Sequence, residues 1–266
     1  MEEPVKGNRP GTEVVAGFPV DQHGYQGCLE LVNLWLTEVP PPASSGRYFV
    51  CANPYSLETA RSDQDFGQAI RDADLVIPDG VGVVLASRLA GGSIRKRVTG
   101  TMLFLGVCEL LDARGGSVYF VGSTEPVLER MAGRLAADYP RIRIAGMTSP
   151  PFAPSIPPRV NERLIDDINR TGPDVVWVGM TAPKQEKWIH QNRSRLRAKL
   201  FGPIGAAFDF YAGTVKRPSH WFQDHGLEWL PRLLREPRRL WRRNFVSAPK
   251  FLARAVLDAR FRDDIR

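Results

Sequence analysis

Long apolar segments are absent from this sequence of 266 residues. No stretch approaches the roughly 18 to 20 consecutive apolar residues that a helix needs to cross a bilayer. The first residues include Glu2, Glu3 and Lys6, and they lack the basic and then apolar regions of a secretory signal. We therefore expect neither a membrane-spanning helix nor a signal peptide, and we predict a cytoplasmic protein.

Cysteine is scarce as well. The three cysteines, Cys28, Cys51 and Cys108, are scattered along the chain. Their odd number and wide spacing fit neither a disulfide framework nor a zinc site, and they are typical of a reduced compartment. The sequence also has no Gly-x-Gly-x-x-Gly after a strand, no Walker loop, no nucleophile-elbow serine and no histidine pair at metal-ligand spacing. The sequence therefore gives no support to a dinucleotide-binding, P-loop, serine-nucleophile or histidine-ligated metal site.

Positive charge is concentrated at one end of the chain. The whole sequence carries 36 Lys and Arg against 29 Asp and Glu, a net charge of +7. Residues 230–266 hold 11 basic and four acidic residues, so the rest of the chain is neutral. A basic tail on a neutral body indicates an anionic partner. The alternative is a solvated helix face.

Short apolar runs alternate with longer periodic segments between residues 48 and 204. Buried strands are predicted at 48–51, 75–77, 118–121, 175–178 and 200–204, each ending in small or polar residues. Helices are predicted around 29–36 and at 57–71, 81–89, 103–114, 126–139, 159–170 and 183–196. This alternation predicts an α/β fold with a mostly parallel, Rossmann-like sheet flanked by helices.

Three regions are expected along the chain. Residues 1–14 are polar and rich in Gly and Pro, which predicts a disordered start. Residues 15–229 form the α/β domain, and residues 230–266 form a basic amphipathic helical appendage. In the appendage apolar residues recur at steps of three or four beside arginines, and Pro237 and Pro249 divide it into short helices. Such helices suit a membrane interface, and they equally suit packing on the body of the protein.

Ligands of such folds bind beyond the carboxyl ends of the strands, so the turns at Asn53, Asp79, Gly122 and Gly179 are expected at the working edge. Pro78-Asp79-Gly80 places a carboxylate on a rigid turn directly after a strand, where a general base is useful. An Asp or Asn that only caps the following helix would give the same pattern at Asp79 and at Asn53.

Two further segments combine polar groups with a predicted helix start. Arg97 and Thr99 lie ahead of one helix and could bind phosphate, although a solvated loop is the commoner outcome. Lys184 and Gln185 open another helix and suit phosphate and hydroxyl recognition. Their neighbour Glu186 could simply pair with the helix dipole.

Two Asp-x-Asp sequences match a pattern that many glycosyltransferases use to hold a metal on a nucleotide diphosphate. They are Asp63-Gln64-Asp65 and Asp72-Ala73-Asp74. Both lie in or beside predicted helices, where residues two apart point to different sides. We therefore predict no metal site.

Taken together, the motifs resemble the WecG/TagA/CpsF glycosyltransferases, glycosyltransferase family twenty-six, over about residues 15–245. The matching blocks occur in the family's order and are Asn53-Pro54, residues 73–82, 97–100, 119–122, Tyr139-Pro140, 144–146, Gly179, 183–186, 208–210, Ala212-Gly213, Arg217, 226–229, Arg232, Glu236-Pro237 and Arg239.

The resemblance implies an inverting, metal-independent enzyme without a cofactor. Such enzymes move a sugar from a nucleotide donor, typically UDP-linked, to a polyprenyl-diphosphate-linked sugar at the inner membrane leaflet, in surface polysaccharide or teichoic acid synthesis. The protein would then be cytoplasmic and peripheral on the inner face of the cell membrane, with an anionic membrane surface as partner.

The resemblance also assigns residues. Asp79 would be the general base, and the substrate-binding set would be Asn53, Arg97, Thr99, Gly122, Lys184, Gln185, Arg232, Arg239 and Arg242. The three tail arginines would both contact the membrane and complete the active site. Cys51 departs from the pattern because threonine is usual there, which removes a hydroxyl group.

Two other classes of function fit parts of the sequence. Arginines with Trp241 and Phe245 could contact a nucleic acid, and a nucleotide-sugar-binding protein without catalysis would share the motifs. Comparing sedimentation with anionic vesicles and retention on nucleic acid distinguishes a nucleic-acid-binding protein from the enzyme. Release of UDP distinguishes the enzyme from a protein that binds nucleotide sugars without catalysis. We expect no nucleic acid partner.

Overall fold

Six parallel strands form the central sheet of the computed structural model, which describes residues 10–38, 46–215 and 250–255. Their spatial order is β4-β3-β8-β7-β5-β6, and each neighbouring pair is parallel. The strands are β3 (Arg47–Ala52), β4 (Leu75–Pro78), β5 (Ser117–Gly122), β6 (Arg143–Thr148), β7 (Val175–Gly179) and β8 (Leu200–Pro203). All six carboxyl ends therefore meet at one edge of the sheet.

Helices connect the strands and cover both faces of the sheet. They are α1 (Gly24–Thr37), α2 (Pro54–Ser62), α3 (Gln64–Arg71), α4 (Val81–Leu89), α5 (Gly100–Arg114), α6 (Glu125–Asp138), α7 (Pro158–Thr171), α8 (Lys184–Asn192) and α9 (Ala207–Tyr211), with a 3-10 turn at Arg193–Arg195. Because the inner strands are covered on both sides, they are apolar along nearly their whole length. The Rossmann-like α/β fold predicted from the sequence is confirmed.

The core lies in two layers, one on each face of the sheet. Alternate residues of one strand enter opposite layers, as Tyr119 and Phe120 of β5 do. Trp177 anchors one layer, with edge-to-face contacts to Phe49 and Phe104 at centroid distances of 6.3 and 5.1 Å. Gly202 on β8 is required beside it, because a Cβ there would lie 2.2 Å from the indole ring.

An antiparallel hairpin precedes α1. It consists of β1 (Thr12–Val15) and β2 (Phe18–Asp21), and both residues of its turn, Ala16 and Gly17, have positive φ. Asp21 at its end accepts a hydrogen bond of 2.6 Å from the Val76 amide of β4. The prediction of a disordered segment up to residue 14 is therefore wrong for residues 12–14, while residues 1–9 lie outside the described residues.

The five predicted strands are present, with small shifts at their ends. The helix predicted over 57–71 is wrong as one element, because Asp63 ends α2 and caps α3 by accepting from the Phe66 amide at 3.1 Å. Strand β6 was not predicted. It is an edge strand of mixed exposure, so it lacks the apolar run that identifies the inner strands.

Part of the predicted basic appendage is described. Residues 250–255 are helical, Phe251 and Ala255 are buried in the core, and Arg254 pairs with Glu58 of α2. For this stretch the alternative of packing on the body is the one observed. The remaining appendage residues lie outside the described part of the chain. Within residues 10–38, 46–215 and 250–255, no helix combines the length and apolarity needed to cross a membrane.

Candidate active site

The turns that follow β3 and β4 lie side by side at the carboxyl edge of the sheet. The Asp79 amide donates a hydrogen bond of 2.7 Å to the Ala52 carbonyl, which fixes the two strand ends together. The following helix also packs on Pro54, since a Cβ at Gly82 would lie 2.5 Å from its ring. The half-buried Asp79 is therefore held on a rigid turn beside Asn53, as predicted from its place after the strand.

The segment before α5 joins the same edge. The Val98 amide donates to the Pro78 carbonyl at 3.0 Å, so the half-buried Arg97 lies in the segment next to the Asp79 turn. Thr99 is buried, and its hydroxyl caps α5 by accepting from the Met102 amide at 3.2 Å. The hydroxyl of Thr99 therefore already stabilises the start of α5. Its expected role in substrate binding stays a prediction.

Cys51 lies at the centre of these turns. Its Sγ is 3.7 Å from the Pro203 carbonyl of β8, and a Cβ at Gly100 would lie 2.9 Å from it. Burial raises the pKa of the Cys51 thiol, and the negative charges of Asp79 and Glu186 raise it further. Negative charge from two distant parts of the sequence therefore acts on this one thiol.

Gln185 and Glu186 reach the same place from the first turn of α8, which follows β7. Both side chains are buried, with 5% and 2% exposure. Gln185 Nε2 donates to Glu186 Oε1 at 2.8 Å. Beside them, a Cβ at Gly205 after β8 would lie 3.5 Å from Gln185 Oε1. Burial raises the pKa of Glu186 to about 7, although the bond from Gln185 and its own backbone amide oppose the shift.

These groups form one cluster, which we call the carboxyl-edge site: Cys51, Asn53, Asp79, Gly100, Gln185, Glu186 and Gly205. It combines a half-buried carboxylate, a buried carboxyl with a near-neutral pKa and the amino ends of α2, α4, α5 and α8. Helix amino ends favour negative charge, and a carboxylate on a rigid turn can accept a proton. The arrangement suits proton abstraction next to a bound anion.

The other predicted binding residues are distributed more widely. Asn53 caps α2, its Oδ1 accepting from the Ser56 amide at 3.0 Å, so Nδ2 is the group that it can offer to a ligand. Gly122 ends β5 with φ +112°, where a Cβ would lie 2.6 Å from the Gly179 carbonyl oxygen. Lys184 donates to the Ala153 carbonyl at 2.8 Å, outside the carboxyl-edge site. Arg232, Arg239 and Arg242 lie outside the described residues.

Both Asp-x-Asp sequences have structural partners. Asp63 and Asp65 pair with Lys187 at 3.0 and 3.5 Å. Asp72 contacts His190 at 2.9 Å, and Asp74 lies before β4, at the opposite edge of the sheet from Asp79. Among the residues that the structure describes, no cluster of three His, Cys, Asp or Glu side chains has the arrangement of a metal site.

Comparison with known proteins identifies the family of this chain. Residues 13–264 match the Glycosyl transferase WecG/TagA/CpsF family. The chain belongs to this glycosyltransferase family. The match includes the strand ends that build the carboxyl-edge site as well as most of the basic appendage.

Named relatives of this glycosyltransferase include proteins from three bacteria. A protein of Bacillus spizizenii is 33% identical over 214 residues, 80% of both chains. One from Bacillus subtilis is 29% identical over 208 residues, 77% of both chains, and one from Staphylococcus aureus strain MW2 is 26% identical over 224 residues, 84% of this chain and 85% of the relative. All three are named N-acetylglucosaminyldiphosphoundecaprenol N-acetyl-beta-D-mannosaminyltransferase.

Sequence reasoning missed one notable group of this glycosyltransferase. From the sequence Glu186 has no predicted role beyond pairing with the helix dipole, whereas it is 2% exposed and its pKa is raised. The available signal was its position between a strand and the apolar pair Trp188 and Ile189, both buried. That pattern does not distinguish a solvated first turn from one covered by neighbouring strand ends.

Proposed function

We propose that this glycosyltransferase moves an N-acetylmannosamine-type sugar from a UDP donor to a polyprenyl-diphosphate-linked N-acetylglucosamine, with inversion and without a metal. The observation that carries the proposal is the placement of Asp79, half-buried on a rigid turn at the carboxyl edge of a family member's sheet. The sugar and the acceptor come from the names of the relatives. The β-linkage in those names is the outcome of inversion when the donor is an α-linked nucleotide sugar.

In this reaction the Asp79 carboxylate takes the proton from a hydroxyl group of the acceptor sugar. The oxygen attacks the anomeric carbon of the donor from the face opposite the nucleotide, and the bond from that carbon to the diphosphate breaks. UDP leaves with the bonding electron pair, so negative charge grows on its oxygens. The amino ends of α4 and α5, beside Asp79 and Arg97, suit stabilisation of that charge.

Tail arginines would complete the charge stabilisation. Arg232, Arg239 and Arg242 are the family-matched cations of the appendage, and residues 230–266 hold the whole net charge of the protein. Near an anionic leaflet each arginine contributes about 1 kcal/mol of attraction. The same residues would therefore serve membrane attachment and the leaving diphosphate.

The surface beside the site supports a membrane-facing orientation. Helix α4 begins two residues after Asp79 and exposes Val81, Leu85 and Leu89, with 50%, 43% and 55% of their surfaces accessible. We call these residues the α4 stripe. The basic residues Arg88, Arg95 and Lys96 are exposed at and after its far end. Apolar side chains bordered by cations fit the interface of an anionic membrane.

One assay tests the proposed reaction. Purified protein is incubated with UDP-N-acetylmannosamine and a short-chain lipid-diphosphate-linked N-acetylglucosamine, and released UDP and the disaccharide product are measured. UDP-N-acetylglucosamine and UDP-glucose serve as comparison donors. We expect acceptor-dependent UDP release that EDTA does not reduce and a β-linked product. UDP release without acceptor, or no release with any donor, would contradict the proposal.

The tail is best tested by substitution and not by deletion, because Phe251 and Ala255 are part of the core. Replacing Arg232, Arg239 and Arg242 with glutamine should lower turnover even with a soluble acceptor analogue. A tail that only attaches the enzyme to membranes would leave that turnover unchanged.

The α4 stripe has its own test in sedimentation with anionic vesicles. The double variant Leu85→Asp and Leu89→Asp should bind about thirtyfold more weakly, since each substitution loses roughly 1 kcal/mol of apolar burial. Leu34→Asp is the matched control, because Leu34 is equally exposed, at 53%, but lies on α1. Equal binding by both variants would rule out this orientation.

A further inference from the structure

Two neighbouring polar atoms in the carboxyl-edge site are buried without a partner. Among the described residues, neither Gln185 Oε1 nor Glu186 Oε2 has a hydrogen-bond partner, although both side chains are at most 5% exposed. Buried polar atoms in folded proteins are nearly always hydrogen-bonded, because an unmade bond costs about 1 to 3 kcal/mol. Two such atoms on adjacent residues at a ligand-binding edge indicate a partner supplied by the substrate.

The contact between the two side chains fixes which atom each presents. When Glu186 is ionised, its carboxylate can only accept hydrogen bonds, so the Gln185 amide turns its nitrogen towards it. The observed bond from Nε2 to Oε1, 2.8 Å long, has this direction. The amide oxygen is then the Gln185 atom that remains for a ligand, and it lies beside Gly205 at the end of β8.

Gly205 lies directly beside this oxygen. Gly205 has φ +47°, and its backbone amide is directed to the Val178 carbonyl of β7. A Cβ there would lie 3.5 Å from Oε1 and 3.6 Å from Nε2 of Gln185. Because glycine has no side chain, only backbone covers this part of the amide, and a larger residue would crowd it.

Burial makes Glu186 a poor candidate for the proton acceptor itself. It is 2% exposed and one of its oxygens is already used by Gln185, whereas Asp79 is half-buried on the turn after β4. A general base must come within hydrogen-bond distance of the proton that it removes. The geometry therefore gives the two carboxyl groups different tasks.

We propose that Glu186 is a positioning residue, which holds the Gln185 amide so that its oxygen accepts a hydrogen bond from a sugar hydroxyl or acetamido N–H group. This inference rests on the proposed glycosyl transfer and assigns a role in it. It implies that the recognised group of the sugar is a donor, and that Glu186 acts on the substrate only through Gln185.

A double-mutant cycle at pH 8, where the carboxyl is ionised, tests this role. The variants are Glu186→Met, Gln185→Met and the double variant, assayed with UDP-N-acetylmannosamine and the lipid-linked acceptor. Each single variant should raise the KM of the same sugar substrate about tenfold, which corresponds to one lost hydrogen bond. The double variant should be no worse than Gln185→Met alone.

Conservative substitution provides the rescue. Glu186→Gln should keep KM within about threefold, because its amide oxygen can still accept from Gln185 Nε2. Glu162→Met is the matched control, since Glu162 is an exposed carboxylate that pairs with Arg195 on another part of the surface. Comparing UDP-N-acetylmannosamine with UDP-mannose distinguishes an acetamido N–H from a hydroxyl group as the recognised donor.

A second measurement needs no substrate and keeps the inference separate from the proposed reaction. In ¹⁵N-labelled protein the side-chain amide signal of Gln185 should shift between pH 5 and 8 and lose that shift in Glu186→Met. If no pair of donor and acceptor reacts, the proposed function fails. The amide signal would still show whether Gln185 and Glu186 are in contact. Additive losses in the cycle, an unchanged KM in Glu186→Met, or a pH-independent amide signal would each overturn the positioning role.

Discussion

The two edges of the central sheet use the same kind of side chain in opposite ways. At the amino edge Asp74 accepts from Arg47, Arg193 and the Tyr48 amide at 2.9 to 3.2 Å. Asp174 likewise accepts from Lys199 and Ser117. At the carboxyl edge Glu186 has one oxygen without a partner among the described residues.

The pKa values follow the same division. Burial opposes ionisation of Asp174, but hydrogen bonds from Lys199 and Ser117 outweigh it and lower the pKa. Burial of Glu186 is the larger effect and raises the pKa to about 7. Asp74 and Asp174 are thus paired within the fold, whereas Glu186 has one oxygen without a partner among the described residues.

The largest effect is expected from Asp79→Asn. An amide cannot take the proton from the acceptor, so turnover should fall by about 10²-fold or more, the scale of lost general-base catalysis. The midpoint of thermal unfolding should change little. Asp74→Asn at the opposite edge is the control, since it should lower stability through its broken ion pairs and leave turnover per folded molecule intact. Near-normal turnover in Asp79→Asn would remove Asp79 from the mechanism.

The next effect concerns stability as a function of pH. The Glu186 carboxyl has a pKa of 4.5 in the unfolded chain and about 7 when folded, so the folded state binds its proton more tightly. Its contribution is fully favourable below pH 4.5 and is lost as pH rises through 7. Relative to wild type, Glu186→Gln should gain up to about 3 kcal/mol between pH 5 and 8. Urea unfolding at both pH values measures it, and a pH-independent difference would contradict the buried carboxyl.

Asp174→Asn should show the opposite dependence. The folded pKa of Asp174 is lowered, so its stabilising contribution is present above the unfolded value of 3.8 and is lost as pH falls through the folded value. We expect this variant to be about 1 to 2 kcal/mol less stable than wild type at pH 7, with the difference shrinking below pH 4. A difference that persists at pH 3 would indicate lost packing instead of lost charge.

The smallest effect is expected where pairing is exposed. Lys187 joins Asp63, which caps α3, and Asp65 of α3 to α8, with about a quarter of the lysine side chain accessible. Lys187→Met should cost about 0.5 kcal/mol at low salt and less at 0.5 M salt. Turnover should stay at the wild-type level, although the preceding residue in the sequence is Glu186. A large loss of turnover would show that the ion pairs of Lys187 on α8 affect the reaction and do not serve the fold alone.

Much of the fold was predictable because its inner strands are short, apolar and buried on both faces. Because Asn53 and Asp79 follow predicted strands, they could also be placed at the carboxyl edge of the sheet. The hairpin around Ala16-Gly17 and the edge strand β6 were not predicted, since neither carries a long apolar run. The break at Asp63 was missed because a capping aspartate inside a helical pattern resembles any surface carboxylate.

The candidate site was predictable only in part, for a similar reason. Sequence order shows that Asp79 follows a strand, but it does not show that Glu186, 107 positions later in the chain, is buried and that its charge acts on the same Cys51 thiol. Thr99 and Asn53 have the residue types of ligand-binding groups, and their side chains cap helices. Local pattern identifies polar groups near helix starts, while the contacts of the folded chain determine which of them already have partners.

Residue order and composition are enough to establish the α/β alternation, the family and the concentration of positive charge in residues 230–266. Which carboxyl groups are paired, and which are buried with one oxygen lacking a partner, follows only from the contacts of the folded chain. The same contacts place Phe251, within the basic tail, in the core. The physical reason is that desolvation and hydrogen bonding depend on neighbours brought together by the sheet, and these neighbours are distant along the chain.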